Sequence, residues 1–412
     1  MKVIKFSSKA FTKLCNRAFG GKKRLEELVG KIVDDVRLDG DEALVKYTRK
    51  FDRVKLLPKH FKVTEAETNA AYQNVDAEFI STLKMVIANI EKFYKRQSKK
   101  SWRIKDEDGA VLGEIYRPIE KVGVYIPSGT VPLVSSVYMT ALLAKIAGVK
   151  KVVLVSPPNQ HGTINPSILA VANLLKVDEI YKIGGAQAIA ALAFGTKTIP
   201  KVDKIVGPGN RYVTEAKRQV FGYVDIDMLA GPSEVVIIAN QNSNLDFVVA
   251  DLRAQAEHYK GFSVLITTSK SLIKAVRKEP DNGFIVYVKN LDEAVEAANR
   301  LAPEHLQIMV KNPNKLVNKI TNAGAIFIGP YSPVSVGDYI AGPSHVLPTS
   351  GTARFFSGLC VNDFIKTIHV ISYPKKSLEK VKAAIEKLTS LEGLPKHAES
   401  TRIRFQERKE ER

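Results

Sequence analysis

The chain is poor in sulfur, in tryptophan and in long apolar runs. Two cysteines, Cys15 and Cys360, cannot build a disulfide framework, and no CxxC pair offers a zinc ribbon or a redox centre. A reducing cytosol is therefore the expected compartment. No apolar run approaches the roughly 18 residues that crossing a bilayer takes, so no membrane-spanning helix is expected. The opening MKVIKFSSKAF has one short apolar patch and no cleavable signal pattern. A GxGxxG fingerprint is missing too, which argues against an orthodox dinucleotide site.

What is present is ordinary in amount and unusual in sign. Across 412 residues, 45% apolar and 25% charged, the composition is that of a globular protein of two or three domains. The 62 Lys and Arg against 43 Asp and Glu leave a net charge of +19. Binding of nucleic acid by phosphate neutralisation would call for a dense basic block or a basic stripe interleaved with aromatics. The cations are instead scattered, which favours a lysine-rich surface over a nucleic-acid partner.

The periodicity changes along the chain. Residues 1 to about 105 read as helical, with three-to-four spacing in Leu25–Phe51, broken at Asp39-Gly40, and again in Ala77–Gln97. From Lys121 short β-branched runs alternate with helices: VGVYIP, the helix Val134–Val149, KKVVLVSPP, a helix near Ser167–Leu175, EIYKIGG, AQAIAALAFG, DKIVGPGN and YVTEAKRQVFG. A second series starts at EVVIIAN (Glu234–Asn240) and runs through NLDFVVADLRAQAEH, FSVLITT, GFIVYV, LDEAVEAANRLAP, HLQIMV and GAIFIG. Such alternation predicts parallel strands with crossover helices, an α/β doubly wound architecture in two tandem units. The last 50 or so residues read as a helix-rich, charged tail ending in RIRFQERKEER.

In open α/β sheets ligands collect at the carboxyl ends of strands. Three glycine-bearing loops follow strands and open helices: Ile126–Thr130 (IPSGT), Gly184–Gln187 (GGAQ) and Gly207–Asn210 (GPGN). Each could hold an anion on backbone N–H groups, or simply make a tight connection. LAGPSE (Leu229–Glu234) lies between the two units, where crevices form, and AGPSH (Ala341–His345) echoes it. Among the histidines, His60 and His161 read as surface, His369 in IHVISY as a satisfied core or edge residue, and His345 stays ambiguous. Gln255 and His258 are three apart on one helical face and could share a metal or merely face water. Glu304 and His305 in APEHL stand before a buried strand, an adjacent acid and base suited to water activation and proton abstraction. Asp338, between Gly337 and Gly342, is a ligand or a turn residue. His397 in EGLPKH, five residues after Glu392, would pass in isolation for part of a tail.

Taken together, GGAQAIAALAFGT, PKVDKIVGPGNRYVTEAKRQVFG, DIDMLAGPSEV, QAEH, APEHL, GDYIAGPSHVLPT, SGLCVNDFIK and EGLPKH resemble, in order, the histidinol dehydrogenase family over about Gly123 to His397. The resemblance implies an NAD-linked, zinc-dependent oxidation of L-histidinol through L-histidinaldehyde to L-histidine, a four-electron reaction using two NAD+ that closes histidine biosynthesis. It places one Zn2+ per subunit on Gln255, His258, Asp338 and His397, a general base on His305 and water activation on Glu304. NAD contacts fall on Tyr125, Gln187 and Asn210. Substrate contacts fall on Ser135, Ser233 and Glu392, besides Glu304, His305 and the metal positions. It further implies a homodimer with shared active sites and two incomplete Rossmann-like units with small swapped tails. The ranges expected are 1–22 for the N-terminal tail, 23–124 with 234–360 for the unit carrying metal and catalytic residues, 125–233 for the NAD side, and 361–412 for the C-terminal tail. Ser128, Ser344 and Cys360 stand where the family more often has Gly, Asn and Ser. A related enzyme acting on another amino or sulfonate alcohol is the alternative, and the presence of Glu392 with all four metal positions weighs against it.

Overall fold

A computed structural model describes residues 1–17, 23–128, 132–258, 260–279 and 283–406. The chain divides into two compact units, residues 1–98 with 118–364, and residues 99–117 with 365–412. The first holds two parallel sheets. The five-stranded sheet runs Glu179–Lys182, Lys151–Ser156, Lys121–Tyr125, Lys204–Val206, Asp225–Ile226. The six-stranded sheet runs Lys2–Lys5, Phe284–Tyr287, Phe262–Thr267, Glu234–Ala239, His305–Met309, Ala325–Ile328. Counted from its own first crossover strand, each sheet has the same spatial order, three-two-one-four-five, with Lys2–Lys5 added at one edge of the larger one. The order reverses beside Lys121–Tyr125 in one sheet and beside Glu234–Ala239 in the other, so each has a switch point where loops diverge.

Burial explains why these strands were readable. Every residue of Glu234–Ala239 and of His305–Met309 is buried, as expected of parallel strands covered on both faces. The helices Val134–Ala147 and Gly185–Phe194 are apolar nearly all round because they pack between a sheet and further helices. Gly148, at φ +86°, closes the first of these in the left-handed region. Gly123 brings Leu192 close to the sheet; a Cβ there would meet its Cδ1 at 2.8 Å.

Several expectations are corrected. The N-terminal region is not purely helical. Lys2–Lys5 pairs in parallel with Phe284–Tyr287, and Phe11, Leu14 and Cys15 are buried in the core of that sheet, so residues 1–17 are an integral part of that sheet's packing rather than a separate tail. The helices Lys23–Asp39 and Asp41–Phe51 do not join the 234–360 region. Val29, Ile32, Val33 and Val36, each worth roughly 1.5–3 kcal/mol when buried, share a core with Val153, Val155 and Ile189 of the five-stranded region. The reason is complementarity: a valine-isoleucine stripe seats on the alanine-rich helix Gly185–Phe194. Trp102–Lys105 and Val111–Pro118 form an antiparallel pair, and Ile365–Ser372 joins them in a three-stranded sheet of the second unit. These strands lack a buried face, and so lack the alternation that would have revealed them. His369 lies on the last of them, an edge strand, with its side chain 74% exposed and Nδ1 3.9 Å from Glu114 Oε1, so of the core and edge readings it is an edge residue.

Candidate active site

The amino ends of the six-stranded sheet gather the acid–base residues. Helix Leu245–Ala256 leaves the carboxyl end of Glu234–Ala239 and runs back along the sheet, so its last turn returns to the strand starts. Gln255 ends there buried, and His258 follows it, exposed, in the turn after the helix. That turn closes on Gly261, whose N–H donates to the His258 carbonyl at 2.8 Å. A Cβ on Gly261 would sit 2.4 Å from the Gln255 carbonyl oxygen, 3.1 Å from its Nε2 and 3.2 Å from the His258 Cβ. The Phe262 N–H then donates to the Ser233 carbonyl, which ties this turn to the AGPSE loop.

Glu304 and His305, both buried, hang from a single residue of the neighbouring strand. The Glu234 N–H donates to Glu304 Oε2 at 2.7 Å, and the Glu234 carbonyl accepts from His305 Nδ1 at 2.9 Å. Because a carbonyl can only accept, Nδ1 carries the proton and Nε2 keeps its lone pair in the neutral ring. That Nε2 lies 3.3 Å from Asp338 Oδ1 yet lacks hydrogen-bond geometry to any described group. Asp338 comes from the short helix Val334–Tyr339, not from the loop expected for it. His345 donates from Nδ1 to the Asp338 carbonyl at 3.0 Å and faces the Ser136 hydroxyl at 3.4 Å. Thus the first turn of Val134–Ala147, where Ser135 is buried, meets the Asp338 segment.

Electrostatics follow from this crowding. Burial pushes the Glu304 carboxyl well above the usual carboxylate range, against the pull of His305. Burial alone would lower His305, but Glu304, Asp338 and the Glu234 carbonyl outweigh it and lift the imidazole. With carboxylate and ring 3.5 Å apart, the two share proton affinity and titrate as a unit. Asp338 is penalised by burial, but His305, His345 and His258 hold it below its ordinary value. Burial keeps His345 low, hence neutral.

The carboxyl ends of the five-stranded sheet gather the glycine loops. The Tyr125 hydroxyl accepts from the Gly185 N–H at 3.1 Å. Gly207, at φ +114°, passes so close to Tyr125 that a Cβ would stand 2.2 Å from its carbonyl oxygen. Gln187, 1% exposed, has neither amide atom hydrogen-bonded among the described residues. Asn210 caps helix Arg211–Val220, its Oδ1 accepting from Tyr212 and Val213. Behind the GPGN loop lies a buried ion pair that sequence reading missed. Asp227 Oδ2 accepts from the Gly207 N–H at 2.7 Å, while Lys217, paired to the same carboxylate, donates to the Gly207 carbonyl at 2.8 Å. Gly129 and Thr130 of the IPSGT loop lie outside the described residues.

A model of the family described as histidinol dehydrogenase matches residues 16–405. The chain belongs to the histidinol dehydrogenase family. It is 48% identical to a histidinol dehydrogenase of Clostridium acetobutylicum, over 93% of this chain and 94% of that one. It is 46% identical to one from Caldanaerobacter subterraneus subsp. tengcongensis, over 96% of each. The crystal structure of histidinol dehydrogenase from Elizabethkingia anophelis superposes with a TM-score of 0.91 at 37% identity, covering 98% of both chains. Membership makes this chain an NAD-dependent oxidoreductase of histidine biosynthesis, with the parallel α/β architecture described above.

For a histidinol dehydrogenase, the question of zinc turns on donor chemistry. A histidine nitrogen with amide and carboxylate oxygens suits a four-coordinate zinc. His258 stands near enough to Asp338 to help hold its carboxyl down, and Gln255 buries an amide whose nitrogen has no hydrogen-bond partner among the described residues. Among the described residues no three His, Cys, Asp or Glu stand together as a metal site. The Gln255 amide falls outside those residue types. His397, in helix Pro395–Arg402, and Glu392, at the end of Lys375–Leu391, belong to the second unit. The donor types present fit the metal. No described helix is long and apolar enough to cross a membrane.

Proposed function

We propose that this enzyme oxidises L-histidinol to L-histidine by two successive hydride transfers to NAD+, with histidinaldehyde held between them, in the cytosol. The observation that carries the reading is the pair Glu304–His305, buried at the strand mouth with Nε2 of the ring left without a hydrogen bond among the described residues. In the first step His305 Nε2 accepts the carbinol proton as the carbinol hydride leaves for the nicotinamide. As water adds to the aldehyde, Glu304 takes one proton from that water and the protonated His305 returns its proton to the carbonyl oxygen, giving the hydrated form and a neutral ring. His305 then accepts a hydroxyl proton of the hydrate as the second hydride departs, which leaves the carboxylic acid; the acid and Glu304 release their protons to solvent, giving the carboxylate. Ser135 and Ser233 border the substrate, and Tyr125, Gln187 and Asn210 border NAD+. Gln255, His258 and Asp338, with His397 of the partner subunit, would hold one zinc ion, which fixes the amino alcohol for hydride transfer and supplies positive charge beside it. In this proposal Glu392 also comes from a second copy, so the working enzyme is a homodimer.

The decisive assay supplies zinc, NAD+ and L-histidinol and counts NADH formed per histidine. The expected result is two, with activity abolished by a chelator and restored by zinc. One NADH with free aldehyde accumulating, or full turnover after chelation, would overturn the four-electron or the zinc reading respectively.

A further inference from the structure

We propose that Arg17 and Glu234 form a positioning pair for the catalytic acid and base, an inference that rests on the roles just given to Glu304 and His305. Among the described residues, Glu234 is the one whose main chain grips both proposed catalytic side chains, N–H on Glu304 and carbonyl on His305. Whatever fixes the rotation of that residue therefore fixes the spacing of the pair and the tautomer of the ring.

The Glu234 side chain is 4% exposed. Its Oε1 accepts from Arg17 Nη1 at 3.0 Å and from the Ser350 N–H at 2.8 Å. Arg17 is itself anchored twice more. Its Nη2 donates to the Leu301 carbonyl at 2.8 Å, and its guanidinium lies 4.3 Å from the centre of the Phe262 ring. Leu301 ends the helix Leu291–Leu301, three residues before Glu304, and the chain then turns through Ala302 in the left-handed region at φ +46°. The planar fork thus holds both approaches to the catalytic pair: the strand that grips it and the helix end that delivers it. Glu304 and His305 themselves make no contact with Arg17, so the arginine acts through Glu234 and Leu301.

The physical consequence is specific. Without the guanidinium, Glu234 becomes a buried carboxylate facing one backbone N–H, and burying an unpaired charge is strongly unfavourable. The carboxylate must swing toward water or take a proton, and either change tilts the peptide units on which Glu304 and His305 hang. Misplacement of about 1 Å costs on the order of 100-fold in rate without requiring any change in substrate affinity.

The test uses the full-length, zinc-loaded enzyme, Arg17→Ala, Glu234→Gln, the double variant and Arg17→Lys, assayed with L-histidinol after the parent and His305→Asn have established the assay. The expected result is a 10- to 100-fold fall in kcat for Arg17→Ala with KM for L-histidinol within about threefold and bound zinc unchanged. Guanidinium ion at tens of millimolar is expected to restore several-fold of the loss in Arg17→Ala, and to do nothing for His305→Asn. The effects of Arg17→Ala and Glu234→Gln should not add in the double variant. If Arg17→Ala fails to fold, Arg17→Lys is read instead: it keeps the charge but cannot reach Glu234 and Leu301 together, and a kcat within twofold of the parent refutes the proposal. Additive losses, or a loss that guanidinium leaves untouched, refute it as well. An inactive parent would instead refute the functional reading on which it stands.

Discussion

Glu304 and His305 are adjacent in sequence, yet Glu234 holds them by opposite polar groups. The carboxylate is fixed by an N–H, the imidazole by a carbonyl. Removing the charge of Glu304 while keeping its shape, as in Glu304→Gln, should slow aldehyde oxidation by 100-fold or more, on the order expected for losing a general base, and leave alcohol oxidation within a few-fold. Separate rate measurements with histidinol and with histidinaldehyde check this, and equal losses in both would remove Glu304 from water activation. A second residue makes a prediction about stability. Burial pushes the Asp52 carboxyl, at the end of helix Asp41–Phe51, up to about 6, and its Oδ2 has no hydrogen-bond partner among the described residues. A raised value means that the folded state favours the neutral acid. The stabilisation is complete below the unfolded value near 3.9 and is lost as pH rises through about 6. Asp52→Asn should therefore match the parent near pH 3.5 and exceed it above pH 7 by up to about 3 kcal/mol. Urea unfolding across that pH range is the measurement, and a difference independent of pH would assign the cost elsewhere.

Among the elements, the GPGN loop shows how a glycine turn is held in place. Gly207 is gripped at its N–H by Asp227 and at its carbonyl by Lys217, both buried, and it lies against the Tyr125 main chain. Lys217→Met would leave Asp227 a buried, unpaired carboxylate, at a cost of about 3–5 kcal/mol. The variant is expected to melt lower and to raise KM for NAD+ at least tenfold while KM for histidinol changes little; melting and steady-state kinetics decide, and an unchanged KM for NAD+ would separate this loop from the cofactor. At this scale the sequence was legible wherever burial was two-sided. Runs such as EVVIIA and HLQIM can only be covered strands, and Gly148 and Asn210 marked helix ends by their chemistry. Lys2–Lys5, Trp102–Lys105 and Ile365–Ser372 were missed because they are edge or exposed strands without an apolar rhythm. The helix around Asp338 was missed because VSVGDY is too short to show a period and buries no residue.

In the whole molecule, two sheets with the same order of crossover strands carry the two groups of candidate residues. The glycine loops use the carboxyl ends of one, as the general rule for α/β proteins has it, whereas Glu304, His305, Ser233 and Gln255 use the amino ends of the other. Helix Leu245–Ala256, running back along its sheet, makes this possible by delivering Gln255 and His258 to the strand starts. If Glu392 and His397 reach the site from a second copy, two inactive variants should complement each other. Mixing His305→Asn with Glu392→Gln under conditions that exchange subunits should recover about a quarter of parental activity, since half the dimers then hold one intact site of two. Recovery of none would place the tail in its own subunit.

By itself the sequence determined the alternation of parallel strands and helices, the loops that open onto them and the family, since covered strands, glycine turns and ordered motifs are local properties. Only the tertiary structure decided which core the helices of residues 23–51 join, that residues 2–5 close a sheet, and that Arg17 stands behind Glu234, 217 positions away. Those outcomes depend on shape and charge meeting across the fold, where a stripe of valines needs a partner face and a buried carboxylate needs a cation, and neither need names its partner in the order of the residues.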